Sequence, residues 1–261
     1  MKIATWNING VKARIDSLTA WLTEAAPDIV CLQEIKSVDE GFPAEAIERL
    51  GYNVATHGQK GFNGVAILSR LPFDEVIRGL PGDPDDGQSR YIEAVVSVPA
   101  GVVRVGGLYL PNGNPIGTEK FAYKLRWMER LEAHAADRLA LEEPFLLIGD
   151  YNVIPEPADA RRPENWVNDA LYQPESRAAF RRLKSLGLVD AVRAVTDGPV
   201  FTFWDYQAGA FQKNDGIRID HCLLSPQAAD RLLAVGVDKH TRGWEKPSDH
   251  VPVWVELKVD G

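Results

Sequence analysis

Short apolar runs rich in Val, Ile and Tyr recur along the chain and stop abruptly on polar residues. They cover residues 3–6, 29–33, 65–68, 92–98, 102–110, 145–148, 219–224, 232–237 and 251–257. Their length and β-branched content predict strands rather than helices. Helical periodicity falls at residues 15–24, 44–50, 120–140 and 175–185. In the longest of these, Phe121, Leu125, Met128, Leu131 and Leu139 share one face. Pro43, and Pro174 followed by Glu175, mark two helix starts. The run from Val95 to Val103 turns through Pro99-Ala100-Gly101, a hairpin signal. Many strands, few long helices and a hairpin predict an α/β fold in which two packed mixed sheets carry helices on the outside. A doubly wound parallel sheet is the alternative, and the hairpin weakens it.

No repeat, low-complexity tract or linker interrupts residues 1–261, so one catalytic-size domain is expected. Hydrophobic residues make up 45% and charged residues 25%, enough for a sizeable core. Cys31 and Cys222 lie inside apolar runs and read as reduced core residues, neither a disulfide framework nor a zinc site. The chain enters a strand-like run at Lys2 with no leader pattern, and no run reaches 18 apolar residues. A soluble, cytoplasmic monomer without a membrane partner is therefore expected. The net charge of −8 argues, by itself, against nucleic acid. A carboxylate-rich site holding a cation softens that objection. The basic groups Arg161-Arg162, Arg181-Arg182-Lys184 and Lys120, Lys124, Arg126 are read first as solvated helix faces.

The chemistry is carried by how the runs end. The first stops at Asn7, the second at Glu34, and the 102–110 run reaches Tyr109 with Asn112 just beyond. The 145–148 run leads to Asp150-Tyr151-Asn152, Arg218-Ile219 leads to Asp220, and Ser248-Asp249-His250 precedes the last run. Each alone reads as a turn former or cap. Ending buried strands on carboxylates and amides needs a reason, however, because an unpaired buried charge is costly. Where neighbouring strands run antiparallel, the start of one and the end of the next share an edge. All these groups are then able to meet at one rim. Carboxylates with amides and a single histidine suit a hard, oxygen-seeking cation, Mg²⁺ or Mn²⁺, rather than zinc.

The segments Trp6-Asn7-Ile8-Asn9-Gly10, Leu32-Gln33-Glu34, Gly64-Val65-Ala66-Ile67-Leu68-Ser69, Tyr109-Leu110-Pro111-Asn112, Gly149-Asp150-Tyr151-Asn152-Val153, Gly187-Leu188-Val189-Asp190, Phe201-Thr202-Phe203-Trp204, Arg218-Ile219-Asp220 and Ser248-Asp249-His250 follow one another in a familiar order. Together they resemble the endonuclease/exonuclease/phosphatase superfamily, and within it the exonuclease III branch of abasic-site endonucleases. The resemblance spans essentially the whole chain. Gly-Asp-x-Asn and Ser-Asp-His also fit deoxyribonuclease I, sphingomyelinases and inositol phosphate phosphatases. Phe203-Trp204-Asp205-Tyr206 followed by Gly216–Asp220 is more specific to the DNA-repair branch. The resemblance implies a four-layer α/β sandwich, Mg²⁺ or Mn²⁺ dependence, and action on double-stranded DNA with abasic or 3′-blocked lesions.

The resemblance also implies roles. Glu34 is the principal metal ligand, with Asn7 and Asp249 close to the ion and Asp150 and Asn152 in reach of it. Asp150 orients or deprotonates the attacking water, while Asn152 and Tyr109 hold the scissile phosphate. His250 faces the phosphate and Asp220 fixes its tautomer. Asn112 makes a further phosphate or sugar contact. Phe203, Ile217 and Ile219, with Trp204 beside them, form the pocket for a base-less deoxyribose. Some bacterial relatives carry Trp at the position of Phe203, and the loop after Pro111 is not strongly basic here, so pocket shape and exonuclease strength are the features least constrained. Two rivals remain in view. A phosphatase or lipid phosphodiesterase would need no sugar pocket. A catalytically dead nucleic-acid-binding protein would have lost one of Glu34, Asp150 or His250, and none is missing.

Overall fold

The computed structural model describes residues 1–260. Two six-stranded sheets form its centre. The first is ordered β11(Leu232–Val237), β12(Val253–Leu257), β1(Lys2–Asn7), β2(Ile29–Gln33), β4(Val65–Ser69), β3(Asn53–His57). The second runs β5(Glu75–Arg78), β6(Tyr91–Val98), β7(Gly101–Tyr109), β8(Phe145–Asp150), β10(Asp220–Leu224), β9(Val189–Asp190). Both sheets are mixed: β1 pairs parallel with β2 and antiparallel with β12, and β8 pairs parallel with β7 and antiparallel with β10.

The sheets pack face to face over Ile3, Cys31, Ile67, Val105, Ile148, Cys222 and Val253. This inner layer takes both cysteines, which are free and buried. α1(Ile15–Ala25) and α2(Ala44–Glu48) cover the outer face of the first sheet through Leu18, Trp21 and Ile47 against Ala4, Val30 and Leu68. α3(Glu119–Leu139) and α4(Pro174–Ser185) cover the second through Trp127, Leu131, Phe180 and Leu183 against Tyr91, Phe145 and Leu147. The result is the four-layer sandwich expected from the sequence. Strands buried on both faces need continuous apolar runs, which explains why the central ones were so visible.

Three features differ from the sequence reading. β3, β5 and β9 carried no clear apolar run. The first two are edge strands with exposed Asn53, Glu75 and Arg78, and β9 has two residues. Two further short helices, α5(Ala191–Val195) and α6(Pro226–Ala229), are capped by Asp190 and Ser225. In α3 the buried stripe is Lys124, Trp127, Met128, Leu131, His134 and Ala135, rotated from the expected face, with Phe121 and Leu125 half-exposed. Trp127 and Trp21 are the large rings that fill the helix–sheet gaps. Among the described residues, no helix is long and apolar enough to cross a membrane.

Candidate active site

The topology gathers the strand ends. β1 and β2 run parallel, so Asn7 and Gln33 end side by side with Glu34 next. β7 and β8 also run parallel and stop on the register pair Tyr109 and Asp150. β10 runs the other way and begins opposite, with Asp220 paired to Asp150. β12 is antiparallel to β1, so the segment before it, Ser248-Asp249-His250, reaches the same rim. Glu34 and Asn152, each just past a strand, take left-handed φ values of 49° and 46°. Non-glycine residues in that region are costly and cluster where a site demands them.

The side chains are interlocked. Asn7 Nδ2 donates to Glu34 Oε1 at 2.9 Å and to Asp150 Oδ2 at 3.0 Å. Glu34 Oε2 pairs with the Lys36 ammonium at 3.1 Å. Asn9 Nδ2 donates to Asp249 Oδ1 at 3.1 Å, and Lys36 Nζ donates to Asn9 Oδ1 at 2.5 Å. His250 Nδ1 meets Asp220 Oδ2 at 2.8 Å, and its Nε2 lies 3.7 Å from Asp150 Oδ2. Thr202 fixes Asp220 from behind, donating from Oγ1 at 2.7 Å and accepting the Asp220 amide at 3.1 Å. Asn152 donates from its main chain to Asp150 Oδ1 at 2.9 Å and from Nδ2 to the Leu110 carbonyl at 2.8 Å. Asn112 Nδ2 approaches Asn152 Oδ1 at 3.5 Å.

Electrostatics follow from this crowding. Burial alone would lower the His250 pKa, but the charges of Asp220 and Asp150 outweigh it and hold the imidazolium to about 10. Burial pushes the Asp150 carboxyl up to about 7, against the pull of the His250 charge, and Asp220 pushes it further the same way. Burial would raise Glu34 too, yet the Asn7 hydrogen bond and the Lys36 charge keep it below the usual carboxylate value. Burial, then the charges of Glu34 and Asp150, hold the Tyr109 phenol far above its ordinary value, so it remains a donor. The Arg90 guanidinium lies 4.9 Å over the Tyr109 ring.

A cation fits this set. Asp150, Asp220 and His250 each bring a ligand atom to within 4.8 Å of the others. Asp220 Oδ1 is buried and has no hydrogen-bond partner among the described residues, an uncompensated negative oxygen. With His250 held cationic by Asp220, however, the imidazole is a poor ligand. The oxygens of Asp150 and Glu34, both turned to the same Asn7 amide, are better suited to a hard ion.

The imidazolium has a consequence for stability without metal. Its folded value near 10 exceeds the ordinary 6.5, so the native state keeps a proton that the unfolded chain has released. That stabilisation is complete below the ordinary value and is lost as pH rises through about 10. In EDTA, the urea midpoints of the unsubstituted protein and His250→Gln should therefore converge between pH of about 7 and about 10. A gap constant across that range would contradict the assignment of the proton.

Beside the imidazole lies a recess with one aromatic and aliphatic wall, of Phe203, Trp166 and Ile217, and with Asp169, Asp205 and Asp215 also in its lining. Phe203 is half-buried, and its ring stands edge-on to His250 with centroids 5.0 Å apart. Phe203 and Ile217 exchange main-chain hydrogen bonds at 3.1 Å, and both line a recess with Asn165, Trp166 and Ala210. Ile219 lies beneath, packed with Ile154 and Leu171. Trp204 does not join them. It packs with Phe201, Ala210 and Val251 and donates to Asn214 Oδ1 at 3.2 Å. Trp204 thus stands beside the recess, in contact with Ala210 of its wall.

The basic clusters also divide. Arg162 pairs with Asp215 and Arg182 with Glu132 at the surface, as first read. Lys124 is the exception, fully buried under the rim, where burial pushes its ammonium down to about 7 against the charges of Asp150 and Asp169. Arg90 and Lys120 line an open groove with Gln59, Phe62 and Asn112. Sequence reasoning assigned no role to Thr202, Lys36 or Asn9. Lys36 and Asn9 sit two residues from Glu34 and Asn7, a proximity that was the one available signal.

Residues 4–250 match the model of the endonuclease/exonuclease/phosphatase family. The chain belongs to that family. Over 99% of its length it is 38% identical to an exodeoxyribonuclease III of Haemophilus influenzae, all of which is covered. The 3′ phosphatase NExo from Neisseria, solved with a product DNA hairpin, superposes with a TM-score of 0.95 at 40% identity, covering 99% of each chain. An AP endonuclease from Archaeoglobus fulgidus does so with a TM-score of 0.94 at 37% identity, covering 99% of this chain and all of that one. These family members share the fold across both sheets, not merely the motif segments.

Proposed function

We propose that this family member is a metal-dependent DNA-repair hydrolase that incises duplex DNA at abasic sites and removes blocking groups from 3′ ends. Support comes from the named activities of its full-length relatives, exodeoxyribonuclease III, AP endonuclease and 3′ phosphatase. The observation that carries the reading is the edge-on contact of Phe203 with His250 at 5.0 Å, which sets the aromatic wall of that recess against the imidazole. A phosphatase of small polar substrates has no use for that recess. A flipped nucleotide without its base fits it, and an unpaired site costs less to extrude.

In this reading Glu34 and Asp150 hold the divalent ion, Mg²⁺ by the hardness of its ligands, with Asn7, Asp249 and Asn152 around it. When bound, the ion supplies positive charge to the phosphate and leaving oxygen. The protein's own groups do the rest. Asp150, held by the Asn7 side chain and the Asn152 main chain, orients and deprotonates the attacking water. The His250 imidazolium, fixed by Asp220, donates to a non-bridging phosphate oxygen, and Tyr109 and Asn152 add further donors. Asn112, Arg90 and Lys120 lie along the groove for the flanking backbone. The chain acts as one domain and as a monomer in the cytoplasm.

End-labelled duplexes bearing an abasic analogue, a 3′-phosphate or no lesion, with and without Mg²⁺, test the reading. Cleavage at the abasic analogue and release of the phosphate are expected; no product from either rejects it. The same assay tests the recess. Phe203→Ala removes a packing contact of ~1 to 3 kcal/mol, or roughly a 5- to 150-fold loss at abasic sites. Phosphate release should fall less, because Asp150, Asn152 and His250 are untouched. Equal losses, or none, mean that Phe203 forms no selectivity pocket.

A further inference from the structure

We infer that Lys124 is a positioning residue for the reaction: its buried ammonium ties the loop carrying Asn112 to the loop carrying Asn152 and so aims the Asn152 side-chain amide at the phosphate. The inference takes phosphodiester hydrolysis at this rim as given. Lys124 lies in the second turn of α3, with none of its surface exposed. Its Nζ donates to the Asn112 carbonyl at 3.0 Å and to the Asn152 carbonyl at 2.5 Å. One carbonyl follows β7 and the other follows β8, so a single cation spans two loops from two strands.

Lysine is almost never fully buried without a charged partner. Here the acceptors are main-chain oxygens, and a filler role would be served without desolvating a charge by Met or Leu. What the ammonium does that a methyl cannot is fix where two peptide groups point. Asn152 needs this most. Its backbone is held at φ 46°, and its side chain and amide are already engaged by the Leu110 carbonyl and Asp150 Oδ1. With its carbonyl pinned by Lys124 and its N–H held by Asp150, the peptide units on both sides of Asn152 are fixed. Asn112 is brought to Asn152 Oδ1 at 3.5 Å from the same anchor. The next residue, Gly113, rests on the lysine stem: at φ 88°, an added Cβ there would come within 2.6 Å of Lys124 Cδ. The loop is thus built on this side chain, not merely near it.

A double-mutant cycle of Lys124→Met and Asn152→Ala tests the inference, with kcat and KM measured on an abasic-analogue duplex in Mg²⁺ and binding of that duplex measured in EDTA. Lys124→Met should cut kcat by roughly 10- to 100-fold, the scale of an ångström-level misplacement. KM and binding in EDTA should stay within about threefold, because the groove residues are unchanged. In the Asn152→Ala background the same change should cost no more than about twofold, since the group being aimed is gone. An unchanged kcat, a loss confined to KM, or a full additional loss in the Asn152→Ala background overturns the inference. Should Lys124→Met lose its circular dichroism signal, Lys124→Arg takes its place in the cycle. Its guanidinium keeps the charge but not the two-carbonyl geometry, so an intermediate kcat loss that again vanishes with Asn152→Ala is expected, and additivity again overturns. Cleavage by the unsubstituted protein, run alongside, reports separately on the hydrolytic reading.

Discussion

Replacing Asp220 by asparagine should cut turnover on an abasic duplex by roughly two to four powers of ten while leaving the fold intact. The structure explains why so small a change matters. Asp220 Oδ2 sits 2.8 Å from His250 Nδ1 and is itself held by Thr202 at 2.7 Å. Its charge, with that of Asp150, is what keeps the imidazole protonated inside a buried site. An amide supplies no charge and offers either oxygen or nitrogen to Nδ1, so the ring loses both its proton and its fixed tautomer. His250→Ala should cost at least as much, because it removes the donor itself. The double variant should lose little beyond the worse single one, since the two residues act as a unit. Additive losses in that cycle would show that Asp220 works on something other than His250. Thr202→Val offers a graded control: it takes the hydroxyl from Asp220 without touching the carboxylate, and a smaller loss in the same direction is expected.

That network illustrates what the sequence made legible. Asp220 and His250 were visible because each interrupts or borders an apolar run, and a polar residue inside such a run has to be explained. The same logic exposed Asn7, Glu34, Tyr109 and Asp150, and the central strands that end on them. It failed where a residue's surroundings look ordinary in one dimension. Thr202 reads as any β-branched residue in an extended segment. Lys124 sits on an amphipathic helix among Lys120, Arg126 and Glu129, where a lysine is expected to face water. Its phase with Trp127, Met128 and Leu131 on the buried stripe turns it inward, where it meets the Asn112 and Asn152 loops. Trp204 lies in the neighbouring cluster with Phe201 and Val251, an arrangement that its place next to Phe203 in sequence does not give away. Edge strands β3 and β5 were hidden because half of their side chains face solvent and no apolar run survives.

Chelation should produce the largest effect of all. With EDTA in place of Mg²⁺, cleavage of both the abasic and the 3′-phosphate duplex should fall by at least about a thousandfold, the scale of several kcal/mol of charge stabilisation. The physical reason is the imbalance at the rim. Glu34, Asp150, Asp220 and Asp249 converge there, and one of their oxygens, Asp220 Oδ1, is buried without a hydrogen-bond partner among the described residues. Among the described residues, only His250 and Lys36 pair with them directly, through Asp150, Asp220 and Glu34. A phosphate approaching this edge, singly charged as a diester and close to doubly charged as a 3′-phosphate, meets repulsion that two fixed cations do not cancel. Glu34→Gln separates the ion's binding from its chemistry. It keeps the side-chain volume and an oxygen for Asn7 Nδ2 but removes the charge that a cation and Lys36 share. The Mg²⁺ concentration for half-maximal rate should therefore rise by at least about tenfold, equivalent to 1.4 kcal/mol of lost binding, with part of the rate recovered at high Mg²⁺. Lys36→Met should shift the same midpoint downward, because the competing ammonium is gone from Glu34 Oε2. Full activity in EDTA would remove metal from the mechanism, and a midpoint unmoved by Glu34→Gln would move the ion away from Glu34, towards the Asp150 and Asp220 carboxylates.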